Sequence, residues 1–111
     1  MRFTHFFYKC KLIALHKLLI VKFIGLLSDT HSYYHPKIES FFKDVDEIWH
    51  AGDIGDNEII QRLRNFKNTR AVYGNIDGQE LRYELKETEL FKCENINVLM
   101  THIGGYPGNY R

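Results

Sequence analysis

The sequence predicts an α/β fold in which a β-α-β-α-β run is followed by antiparallel strands, and three observations predict it. Val21 to Leu27 is an almost wholly apolar run of strand length, as expected of a strand buried on both faces. Two later stretches carry apolar residues at helix-face spacing, and each gives way to another short apolar run. Beyond Gly78 the pattern turns charged and alternating, which suits an antiparallel excursion better than another crossover.

Residues 1–20 stand apart. Basic Arg2, Lys9 and Lys11 precede the apolar stretch from Leu12 to Ile20, an order that resembles a signal sequence. His16, Lys17 and Lys22 interrupt it, no small-residue cleavage site follows, and the apolar length falls far short of the ~20 residues that span a bilayer. Leu12, Leu15, Leu18 and Leu19 have approximately helical spacing, so an added amphipathic segment is expected, with the main domain running from 21 to 111.

In that domain Pro36 sits at a first helical position, and Ile38, Phe41, Phe42 and Val45 follow on one helix face. A second strand, Glu47 to His50, runs into Ala51-Gly52-Asp53. Asp56 can then cap a helix carrying Ile59, Ile60, Leu63 and Phe66. Thr69 to Tyr73 is the third strand and closes in Gly74-Asn75-Ile76-Asp77-Gly78. Leu81 to Lys92 is the antiparallel excursion, turning at Cys93-Glu94-Asn95 to pair with Ile96 to Met100. Thr101-His102 and a Gly-rich tail follow.

A chain of 111 residues forms one domain at most. Its 15 Lys and Arg against 14 Asp and Glu leave no field that would draw nucleic acid or an anionic membrane. Cys10 and Cys93 make neither a disulfide framework nor a thiolate zinc site, so a reducing cytoplasmic setting is expected.

What recurs is a chemical device, for four strands each end in a short turn bearing a metal-competent side chain: Asp29 with His31, Asp53, Asn75 and His102. Their separations of 24, 22 and 27 residues approach one strand-helix-strand unit of about 30. Parallel strands joined by right-handed crossovers bring such ends to one edge of a sheet. Carboxylate, imidazole and amide oxygen suit manganese, iron or zinc, and Asp53 has two oxygens with which to bridge ions ~3.5 to 4 Å apart. Taken singly each has a plainer reading: Asp29-Thr30-His31 as a turn after a strand, Asn75 as a turn residue, His102 as a hydrogen-bonded structural histidine. Taken jointly, the plain reading requires four coincidences.

Ser28-Asp29-Thr30-His31, His50-Ala51-Gly52-Asp53-Ile54, Gly74-Asn75-Ile76-Asp77 and Thr101-His102 together resemble the calcineurin-like metallophosphoesterase superfamily. The likeness is to its small single-domain bacterial and archaeal phosphodiesterases, whose relatives include a subunit of the retromer coat. The resemblance implies the N-terminal half of a two-sheet β sandwich flanked by helices. It implies a dinuclear site, most often of Mn2+, with Zn2+, Fe2+ or Ni2+ as alternatives, that activates water for in-line attack on phosphorus. Asp29 and His31 match ligands of the first metal, Asp53 the bridging carboxylate, and Asn75 and His102 ligands of the second. Asn75 also matches a catalytic group that stabilises the negative oxygens, and His50 matches no ligand and is expected to pack behind the turn.

Two departures qualify the likeness. Ile76 stands where many members have a histidine that protonates the leaving group, so that step is unassigned. Nothing after His102 matches the superfamily's Gly-His-x-His motif, which implies an N-terminal fragment with an open apolar sheet edge. Val21 stands where a starting Met is expected, which suggests that residues 1–20 lie upstream of the family domain. The expected function is therefore metal-dependent phosphodiester hydrolysis of a small phosphate ester, impaired in this chain. A non-catalytic scaffold, with a second copy or another partner covering the open edge, and an inactive fragment are the alternatives.

Overall fold

The computed structural model describes residues 6–13 and 21–105. Phe6–Ile13 forms β1, Val21–Ser28 β2, Ile38–Phe41 α1, Glu47–His50 β3, Asn57–Phe66 α2, Asn68–Ala71 β4, Gln79–Glu84 α3, Thr88–Cys93 β5 and Ile96–Thr101 β6. A mixed sheet has the order β1-β2-β3-β4, with β1 antiparallel to β2 and the next three strands parallel. β5 and β6 form a separate antiparallel hairpin. Among the described residues, no helix is long and apolar enough to cross a membrane.

The apolar run of β2 makes a central strand because its side chains serve two cores in alternation. Leu27 joins Ile38, Phe42, Ile48, Ile60 and Leu63 beneath the helices. Ile24 joins Trp49, Val72, Cys93 and Met100 between the mixed sheet and the hairpin. The result is sheet on sheet with helices on the outer side, the layered sandwich that the resemblance implied. Gly25 permits close helix packing, since a Cβ there would lie 2.6 Å from the Phe42 ring.

Four expectations are corrected. Phe6–Ile13 is a strand, not part of a helix: its Leu12 pairs with Lys22, while Leu15, Leu18 and Leu19 fall outside the described residues, as does the tail from Tyr106. Pro36 does not open α1, which begins at Ile38 after the N-cap Lys37 and lasts one turn, with Phe41 left exposed. Asp56 holds the N-cap position of α2, but its side chain makes no capping hydrogen bond. The excursion after Gly78 starts with a helix, α3, and only from Thr88 does the chain become the predicted hairpin, turning at Glu94 and Asn95. Both have φ of 47° and 69°, the left-handed pair that a two-residue hairpin turn requires.

At the N-terminal end of the parallel strands, buried Glu47 accepts hydrogen bonds from Trp49 Nε1 at 2.8 Å and Arg70 Nε at 2.9 Å. Lys22 Nζ lies 3.1 Å from its other oxygen. Burial pushes the Glu47 carboxyl upward, and the hydrogen bonds from Trp49, Lys22 and Arg70 more than reverse that, leaving it below its ordinary value. Arg70 also stacks on Phe91, which ties the hairpin to the sheet.

Candidate metal centre

The opposite, C-terminal edge is built from the loops after β2, β3 and β4. The first two run side by side, with Asp29 N–H bonded to Gly52 O, His31 N–H to Asp53 O and Ser32 N–H to Ile54 O, at 2.8 to 3.1 Å. That zipper needs left-handed backbone at Asp29, His31, Ser32 and Asp53, whose φ values lie between 47° and 64°. Asp and His tolerate this region better than most residues, yet each such position costs on the order of 1 kcal/mol and tends to occur where function demands it.

His50 locks the zipper from below. Its Nδ1 accepts from Gly52 N–H at 3.1 Å, so the ring proton sits on Nε2 and is donated to Thr30 Oγ1 at 2.9 Å. Thr30 in turn donates to Ile54 O at 2.9 Å. Burial pushes the His50 imidazole down to about 4, so the ring is neutral at physiological pH. His50 is thus a buried packing residue behind the turns, as expected.

Asp77 fastens the third loop to the second. Its buried carboxylate accepts from Gly74, Ile54 and Gly55 N–H at 2.8, 3.2 and 2.8 Å. Sequence reading gave Asp77, Thr30 and Arg82 no role. The usable signal for Thr30 and Asp77 was a Thr or Asp side chain in the turn after a strand, where such groups bond backbone N–H and C=O groups.

The predicted site residues come together in part. One ligand atom from each of Asp29, Asp53 and His102 lies within 4.8 Å of the others. His31 Nε2 lies 3.6 Å from both Asp29 Oδ1 and Asp53 Oδ2, and His102 Nε2 lies 3.2 Å from Asp53 Oδ2. Asn75 is exposed and lines a cavity of about 240 Å³ together with His102, Tyr73, Arg82 and Glu87. His102 arrives from the second sheet: its Nδ1–H donates to Ala51 O at 2.8 Å, and Gly52 leaves room for the ring. Asp53 Oδ1 accepts from Ile76 N–H at 3.1 Å, and the bare Gly74 lets Asp53 approach.

The donor set fits a divalent cation. With Nδ1 donating to Ala51 O, His102 turns Nε2, the nitrogen left for a metal, toward Asp53 Oδ2 at 3.2 Å. Among the described residues, no Lys or Arg lies within 4.0 Å of the Asp29 or Asp53 carboxylate. Asp53 is 8% exposed at its side chain and His31 51%, so the cluster is closed beneath and open above. A cation held there would neutralise two carboxylates that no Lys or Arg among the described residues serves.

Comparison with known proteins gives the same direction. The model of the calcineurin-like phosphoesterase superfamily domain matches residues 23–111. A probable metallophosphoesterase of Methanothermobacter thermautotrophicus is 33% identical over 89 residues, covering 76% of this chain and 51% of the relative. A probable metallophosphoesterase of Methanocaldococcus jannaschii is 34% identical over 84 residues, covering 71% of this chain and 42% of the relative. The chain thus spans about half the length of these relatives or less. No solved structure matches it significantly.

Proposed function

The chain belongs to the calcineurin-like phosphoesterase superfamily, and from that premise we propose that it serves in metal-dependent hydrolysis of a small phosphodiester. Asp29, His31, Asp53, Asn75 and His102 would hold two divalent ions, with Mn2+ preferred over Zn2+, Fe2+ or Ni2+ and Asp53 shared between them. The observation that supports this most is the convergence of Asp29, Asp53 and His102 donor atoms, with no Lys or Arg among the described residues to answer them. Such ions, when bound, supply Lewis acidity that lowers the pKa of water and offsets negative charge on phosphoryl oxygens.

The chain's own groups do the rest. Asn75 has an amide with which to donate to a phosphoryl oxygen in the cavity it shares with His102. Ile76 is 48% exposed and cannot donate a proton, so the substrate is one whose leaving group departs with little help. Buried free Cys93 accords with a reducing cytoplasmic location. A scaffold role is the second reading, favoured by Leu90 and Leu99, paired across the outer hairpin face at 73% and 63% exposure, where a second copy or another partner would dock.

The test is Mn2+-dependent hydrolysis of bis(4-nitrophenyl) phosphate by the 111-residue chain, alone and joined to the second half of the Methanothermobacter relative. Slow or no turnover is expected from the first and faster turnover from the second. Asp53→Ala should abolish turnover in both. Turnover that needs no metal, or that survives this substitution, contradicts the proposal.

A further inference from the structure

Asn75 differs from the other candidate ligands, for its side-chain amide makes no hydrogen bond among the described residues and its place is set by the backbone of its turn alone. That turn, Gly74 to Asp77, closes with Asp77 N–H donating to Gly74 O at 3.3 Å. Three of its four carbonyls converge on one guanidinium. Arg82 Nε donates to Asp77 O at 2.6 Å, and Nη2 donates to Gly74 O at 3.3 Å and Asn75 O at 3.2 Å.

We propose that Arg82 is the positioning residue of this turn, holding Asn75 where its amide oxygen meets the second metal ion beside His102. The inference rests on the reading of Asn75 as a ligand. Arg82 has no carboxylate within 4.0 Å among the described residues, so its charge is directed at the carbonyl dipoles rather than at an ion pair. Its Cζ stacks 4.6 Å from the Tyr73 ring centroid, which fixes the plane of the fork. α3 supplies the reach: it starts directly after the turn at Gln79 and folds Arg82 back beneath it. From the other side Asp77 and Asp53 bind Gly74 N–H and Ile76 N–H, so donors and acceptors of the turn are both secured. Arg82 also lines the cavity with Asn75 and His102, a cavity that Asp29 and His31 do not line.

Calorimetric Mn2+ titration of the full chain and of Arg82→Ala and Arg82→Lys tests this, with amide hydrogen exchange at Asn75 and Ile76 alongside. The wild-type chain should take up two equivalents. Arg82→Ala should weaken one of them by about tenfold or more, leave the other unchanged and speed exchange at the turn. Arg82→Lys should behave like Arg82→Ala, because one ammonium cannot span three carbonyls, and millimolar methylguanidinium should restore the Ala variant. Unchanged binding of both equivalents by Arg82→Ala, or full rescue by lysine, overturns the inference alone. A wild-type chain that takes up no Mn2+ overturns the metal reading and this inference with it. Should Arg82→Ala fail to fold, the lysine variant carries the same comparison.

Discussion

Two buried carboxylates sit at opposite ends of β3 and its following loop, and their surroundings differ in kind. Glu47, at the start of the strand, is met by Trp49, Arg70 and Lys22, and its charge is answered within the protein. Asp53, just past the strand's end, meets one backbone N–H, two imidazole nitrogens and, near His31, a second carboxylate. Both are about equally hidden, at 8% and 6% residue exposure, so burial alone does not separate them. Pairing does. The first carboxylate completes a structure, and the second leaves a structure that a cation would complete.

That contrast can be broken from either end. The largest effect concerns the histidine beneath the Asp53 loop. His50 is wholly buried, and its pKa falls from an ordinary 6.5 to about 4. The unfolded chain therefore binds more protons than the folded one between those values, so the stability from His50 is fully present above about pH 6.5 and is lost as pH falls toward 4. Linkage puts the loss on the order of 3 kcal/mol, read as a falling urea midpoint across that window. His50→Gln, which cannot titrate, should flatten this part of the profile.

Next comes the paired end. Glu47→Gln should cost about 2 kcal/mol in chemical denaturation, less than a fully buried pair would, because Lys22 and Arg70 are each about one-third exposed and can rehydrate. Since Glu47 titrates below its ordinary value, its contribution is present above the unfolded carboxylate range and disappears on acidification through the lower folded value. Mn2+ should not alter the cost of this substitution.

The smallest effect on stability belongs to the site itself. Asp53→Asn keeps an oxygen for Ile76 N–H and turns an amide toward the facing histidines, so the metal-free variant should lie within about 1 kcal/mol of wild type. A structural carboxylate would not be so dispensable.

Much of this was legible in the sequence. The apolar run of β2 and the turns after it pointed to the parallel strands and to the edge where Asp29, Asp53 and His102 meet, because strand ends and left-handed turns select distinctive residues. α3 was missed because Gln79 to Glu84 buries only Leu81, too little for a helical stripe. β1 was misread by weighting the leucines after Leu12, although Tyr8-Lys9-Cys10-Lys11-Leu12 alternates as a strand does. The roles of Thr30 and Asp77 stayed hidden because they arise from loop-to-loop contacts, with Asp77 reaching 23 residues back to Ile54, and that of Arg82 because it folds back onto the turn from α3, a helix the pattern did not show.

The most direct measurement is calorimetric titration of Mn2+ into the wild-type chain and into Asp53→Asn, each first shown by its unfolding curve to be folded without metal. Saturable binding by wild type, with a metal-dependent rise in its melting temperature, and neither in the variant is the predicted result. Equal binding by both proteins, or no binding by a folded wild-type chain, would contradict the assignment of this strand edge as a metal centre.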